Sequence, residues 1–75
     1  MQTRPPRKRP IDQDPAAIRH RRLSAAMEQK QLASAANIST THMSNIERGK
    51  SSAGPDVLFR IATALDCQVK DLLAT

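Results

Sequence analysis

Apolar positions recur at helical spacing in five stretches, each bounded by a polar break. Asp14 before Pro15 predicts the first start. Asp caps orphan N–H groups, and Pro at the first helical position loses nothing by lacking its own. The helix predicted over 15–26 carries Ile18, Arg22 and Ala25 on one stripe, with Leu23 and Met27 closing over its end. A second helix is predicted over 29–36, with Leu32, Ala33 and Ala36 on one face. Asn37, Ile38 and Ser39 interrupt it. Asn tolerates the left-handed conformation, and Ser39 can cap the next helix. That third helix is predicted over 40–48, with Gly49 as the residue that stops it. Residues 50–54 read as a polar loop. Pro55 then opens a fourth helix, with Leu58, Ile61, Ala62 and Leu65 at i, i+3, i+4 and i+7. Asp66, Cys67 and Gln68 form a short link, and 69–74 is predicted as a last short helix carrying Leu72 and Leu73. Residues 1–13 show no apolar periodicity. Three prolines and the cations Arg4, Arg7, Lys8 and Arg9 fall in the first ten, which predicts a flexible basic arm.

Composition agrees with helices. Eleven alanines and six leucines stand against two valines, a single Phe59 and no Tyr or Trp. The 75 residues suit one small domain. The expected architecture is therefore all-α: a compact five-helix bundle over 14–75, preceded by the disordered arm 1–13. No apolar run reaches the roughly 18 residues of a membrane span. No apolar segment comes after the basic N-terminus, so a signal peptide is not expected. The lone Cys67 reads as a small buried residue. With two histidines it makes no recognisable metal site, and no cofactor is expected.

Charge narrows the partner. Residues 1–37 carry eight Lys and Arg against three Asp and Glu, whereas 38–75 carry four of each. This asymmetry points to a polyanion, nucleic acid before anionic membrane. The arm lacks the aromatic and leucine anchors of an interfacial helix, so no membrane partner is expected. The scarcity of aromatics argues against single strands, whose bases stack on aromatic rings. Duplex DNA, read by polar side chains in a groove, needs none.

The stretch from Gln29 to Arg48 is helix, tight turn, helix within 20 residues, the spacing of a helix-turn-helix. Ala33 is small where the two helices must approach. Advancing 100° per residue along the third helix puts Met43, Ile46 and Glu47 on one side. Thr41, Ser44, Asn45 and Arg48 face the other way, with Thr40 at the open end. Asn pairs bidentately with adenine, and a Thr methyl meets the thymine methyl. Arg22, on a stripe expected to be buried, requires a partner.

At these residues the chain resembles the Xre/Cro-type helix-turn-helix family of phage repressors, plasmid regulators and restriction–modification controllers. The resemblance runs over 16–74. It rests on Ile18, Arg19 and Arg22; on Gln29, Leu32 and Ala33; on Ser39 and the run from Met43 to Lys50; and on Leu58, Ile61, Ala62, Ala64, Leu65, Leu72 and Leu73. It implies a five-helix domain that binds palindromic DNA as a dimer. Carried over by position, Thr40, Thr41 and Asn45 fall on base-reading sites. Gln29, Arg48, Lys50, Ser51 and Ser52 fall on phosphate contacts. Arg22 and Glu47 fall on a partly buried ion pair. The chain departs from the pattern at Glu28, in place of a Ser, Thr or Asn cap; at Asn37, in place of glycine; and at Pro55, which arrives late.

The expected function is a sequence-specific duplex DNA-binding transcriptional regulator, a cytoplasmic, nucleoid-associated repressor or autoregulator working as a homodimer. A domain this small reads too few base pairs alone. Val57, Val69 and one of Leu72 and Leu73 are the expected dimer patch, because adjacent leucines cannot both enter one core. Arg4, Arg7, Lys8 and Arg9 are expected along DNA phosphates or in a neighbouring groove. His20 and His42 lie on different helices with no nucleophile or acid beside them, so an enzyme is not expected. The alternative reading is an antitoxin-like protein-binding module whose DNA binding is secondary.

Overall fold

The computed structural model describes residues 13–74, so the arm cations Arg4, Arg7, Lys8 and Arg9 lie outside the described residues. Among the described residues four α-helices occur in order: α1 (Pro15–Ser24), α2 (Gln29–Ala35), α3 (Thr40–Glu47) and α4 (Pro55–Leu65). One 3-10 turn, Val69–Leu72, follows them among the described residues. The starts are chemically explicit. Asp14 Oδ1 accepts from the Ala16 and Ala17 N–H groups at 3.1 and 3.4 Å, and Pro15 occupies the first helical position. Glu28, which stands where a short hydroxyl or amide cap was expected, starts α2 by another route. Its own N–H donates to Gln31 Oε1 at 2.7 Å, one arm of a capping box. Ser39 Oγ accepts from the His42 N–H at 3.0 Å and opens α3.

The stops share one device. Ala26, Asn37, Gly49 and Asp66 all adopt positive φ, at 57°, 59°, 76° and 57°. Each closes a paired main-chain turn. After α1, the Met27 N–H donates to Arg22 O and the Ala26 N–H to Leu23 O; after α2, Ile38 donates to Ala33 O and Asn37 to Ser34 O. Asn37 and Gly49 were legible as stops. Ala26 was not, because its Cβ disfavours the left-handed conformation, and Asp66, a type that tolerates it as Asn does, was read only as part of the 66–68 link.

The core gathers Ile18 from α1, Leu32 and Ala33 from α2, Met43 and Ile46 from α3, and the Leu58–Ile61–Ala62–Leu65 stripe of α4. Three expectations need correction. Helix α1 ends at Ser24, two residues early, so Ala25 is exposed and Leu23 stands 54 % exposed beyond the bundle. The final helix expected over 69–74 is a 3-10 turn, after which Leu73 becomes extended and bridges to Gln13, while the Asp14 N–H donates to Leu72 O at 2.7 Å. That main-chain pairing to the root of α1 competes with a further helical turn. Gln13, assigned to the arm, is instead completely buried in the domain. Cys67 is half-buried against the core, and burial pushes its thiol pKa up while the Arg21 charge opposes the rise.

Candidate nucleic-acid interface

Helix α3 is held by one side and open on the other. Met43 and Ile46 are fully buried, and Glu47 is 7 % exposed. Thr40 and Thr41 are exposed at its N-terminal end, with Ser44 and Asn45 half-buried one turn on. Beyond the helix, Arg48, Lys50 and Ser52 are exposed and Ser51 is half-buried. Arg48 Nη2 donates to Asn45 Oδ1 at 3.2 Å, which orients the Asn45 amide on the open face.

The buried side is an ionic lock. Arg22 Nε donates to Glu47 Oε2 at 2.7 Å and Nη2 to Oε1 at 3.1 Å, a bidentate pair. Arg22 Nη1 also donates to Met27 O at 2.9 Å. Gln29 Nε2 donates to Glu47 Oε1 at 3.2 Å. Arg22 is 8 % exposed, so both charges lie out of water with their polar atoms satisfied. The network joins α1, the α1–α2 turn, the start of α2 and the end of α3. The side chain of Gln29, expected against a phosphate, here braces that lock.

Of the expected dimer patch, Val57 and Val69 are half-buried and Leu73 is 38 % exposed, but Leu72 has no exposed surface. Leu72 is thus a core residue and leaves the patch. Leu73 is extended, and neighbouring side chains on extended backbone point to opposite sides, so with Leu72 in the core Leu73 stays partly exposed.

Two further residues hold the surroundings of α3 through long-range bonds. Arg60, on α4, donates from Nε to Ala36 O at 2.7 Å, tying down the carbonyl just past the end of α2, beside the turn. Gln13 bonds the main chain on either side of the Lys50 loop. Arg60 had a weak trace, a lone cation on an apolar helix. Gln13 had none. No cluster of His, Cys, Asp and Glu suited to a metal exists among the described residues.

Known proteins share this arrangement. A helix-turn-helix family model matches residues 18–72. No curated protein matches the sequence. Among solved structures, the restriction-modification controller protein C.AhdI from Aeromonas hydrophila superposes with a TM-score of 0.74 at 23% identity, over 76% of this chain and 86% of that one; at that identity it speaks for the fold alone. The clp gene regulator ClgR from Corynebacterium glutamicum gives 0.74 at 30% identity, over 76% of this chain but 61% of the regulator. The P22 c2 repressor, crystallised with a synthetic operator, gives 0.72 at 25% identity, over 75% of this chain and 85% of the repressor. The matched region takes in α2, the turn at left-handed Asn37 and α3, and the chain belongs to the Xre/Cro-type helix-turn-helix family of DNA-binding transcriptional regulators.

Proposed function

We propose that the chain is a sequence-specific reader of duplex DNA that represses transcription by occupying an operator. One observation carries this reading: Thr40, Thr41, Ser44 and Asn45 form a polar face on a helix whose reverse side is locked to the core by Met43, Ile46 and Glu47. Rigid backing lowers the entropy cost of presenting side chains to base edges. Asn45 takes adenine, and Thr40, Thr41 and Ser44 contact neighbouring base edges. Arg48, Lys50, Ser51 and Ser52 hold phosphates and set the register. Gln29 Nε2 carries two hydrogens, of which Glu47 uses one, so a phosphate contact by the other is compatible with the lock. The ClgR and P22 c2 likenesses support a regulator of this type.

The active form is a homodimer on a palindromic site, formed through Val57, Val69 and Leu73. Selection of bound duplexes from a random pool, then footprinting, tests the whole reading. The expected product is two inverted half-sites about one helical turn apart. An enriched single half-site bound by one protomer, without cooperativity, removes the dimer. No enrichment removes sequence-specific reading.

A further inference from the structure

Of the buried polar side chains among the described residues, Gln13 alone has no exposed surface. Both amide hydrogens and the amide oxygen are bonded. Nε2 donates to Ile46 O at 3.2 Å and to Ser51 O at 2.8 Å, and Oε1 accepts from the Ala53 N–H at 3.0 Å. These partners bracket the segment that carries Arg48, Lys50 and Ser52. One is the last buried turn of α3, and the others lie at the far end of the loop, where Ala53 is itself fully buried. The clamp is anchored in turn by the Gln13–Leu73 bridge and the Asp14 N–H to Leu72 O bond.

The site is specific for this side chain. A Glu carboxylate would set acceptor oxygens against two carbonyls. Asn is one methylene short. Met would leave the Ala53 N–H buried without a partner and take both donors away from the Ile46 and Ser51 carbonyls. Resting on the DNA-binding reading above, we propose that Gln13 is a positioning residue for phosphate contact. It never touches the nucleic acid. It holds the 46–53 main chain so that Arg48, Lys50 and Ser52 meet the duplex backbone in register with α3. It also seats the junction of the basic N-terminal segment beside that loop.

The test uses the full chain, a random-sequence duplex of fixed length and graded salt. Gln13→Met and Gln13→Asn are compared with wild type, alone and combined with Lys50→Ala, at a temperature where far-ultraviolet circular dichroism shows each folded. Both Gln13 variants are expected to speed amide exchange at Ala53 and to lower the log–log salt slope by about one unit. Lys50→Ala is expected to lower the slope in the wild-type background and to add little in the Gln13→Met background. A wild-type slope in a folded Gln13 variant, with the full Lys50→Ala effect in both backgrounds, overturns the positioning role and leaves the DNA-binding reading standing. Failure of the wild-type chain to bind duplex overturns both. Should Gln13→Met not fold, Gln13→Asn carries the comparison. An Ala53 amide that exchanges as fast as that of Ser52 in the wild-type chain overturns the clamp without any variant.

Discussion

At the residue scale, stability is concentrated in a few positions with unusual demands. Ala26 is exposed and sits at φ 57°, a conformation that costs a residue with a Cβ about 1–2 kcal/mol. Ala26→Gly removes that strain without losing buried surface. It also loosens the unfolded chain, so the net gain is expected at about 0.5–1 kcal/mol. Urea denaturation checks it, and an unchanged midpoint would mean that the αL strain is already relieved. Arg22 and Glu47 behave oppositely. Each is more than nine-tenths buried and is the other's counter-charge. Truncating either to Ala strands the other and is expected to cost about 3–5 kcal/mol. The Arg22→Ala, Glu47→Ala double mutant should lose far less than the sum. Additive losses in the cycle would show that the two charges do not act as a pair. The need for a partner at Arg22 was legible, since a cation at a stripe position has to be compensated. Its other bonds, to Met27 O and through Glu47 to Gln29, depend on how the α1–α2 turn folds and carry no sequence mark.

At the scale of elements, α3 owes its existence to local chemistry and its orientation to distant contacts. The Ser39 cap, the buried Met43 and Ile46, and Gly49 beyond the end all sit within one short stretch, so the helix and its polar face were readable from spacing alone. Because its buried side is immobilised, a change on the open side is expected to alter recognition and not folding. Asn45→Ala should weaken the preferred site by about 1–3 kcal/mol and flatten preference at one base pair, while non-specific binding barely changes. Competition binding with single-base variants of the selected site measures this. Uniform weakening on every sequence would reassign Asn45 to the phosphate backbone. The ends of α1 and of the chain were less legible. The α1 stripe continues past Ser24 in sequence, but the left-handed Ala26 breaks it. The last turn is short enough that main-chain pairing with Gln13 and Asp14 decides its form.

At the scale of the whole molecule, charge placement governs affinity. Residues 15–75 carry eight basic and five acidic groups, a net +3, and Arg4, Arg7, Lys8 and Arg9 add four more cations ahead of them. If all four meet phosphates, each arm contributes up to about 3.6 units to the log–log salt slope, and about half that if two do. Removal of residues 1–10 should therefore weaken binding to every sequence, reduce the slope, and leave the thermal midpoint of the free protein nearly unchanged. Titrating full-length and truncated chains on one duplex across a salt series measures it. An identical slope in the two would leave the arm a solubilising tail.

Features that depend on neighbours along the chain were legible in the letters. Helices come from apolar spacing, their starts from Asp14, Pro15, Ser39 and Pro55, and two of their stops from Asn37 and Gly49. The outward residues of α3 come from its period. Folding alone settled the features that join main-chain groups over long separations. Gln13 finds its partners 33, 38 and 40 residues away, and Arg60 finds Ala36 O 24 residues back. A carbonyl or N–H is the same in every residue, so nothing in the letters marks which ones a folded chain leaves in need of a side chain. The same reason separates Leu72 from Leu73. Two adjacent leucines are equivalent in sequence, and only folding, with the Asp14 N–H bonded to Leu72 O, puts Leu72 in the core and leaves Leu73 exposed.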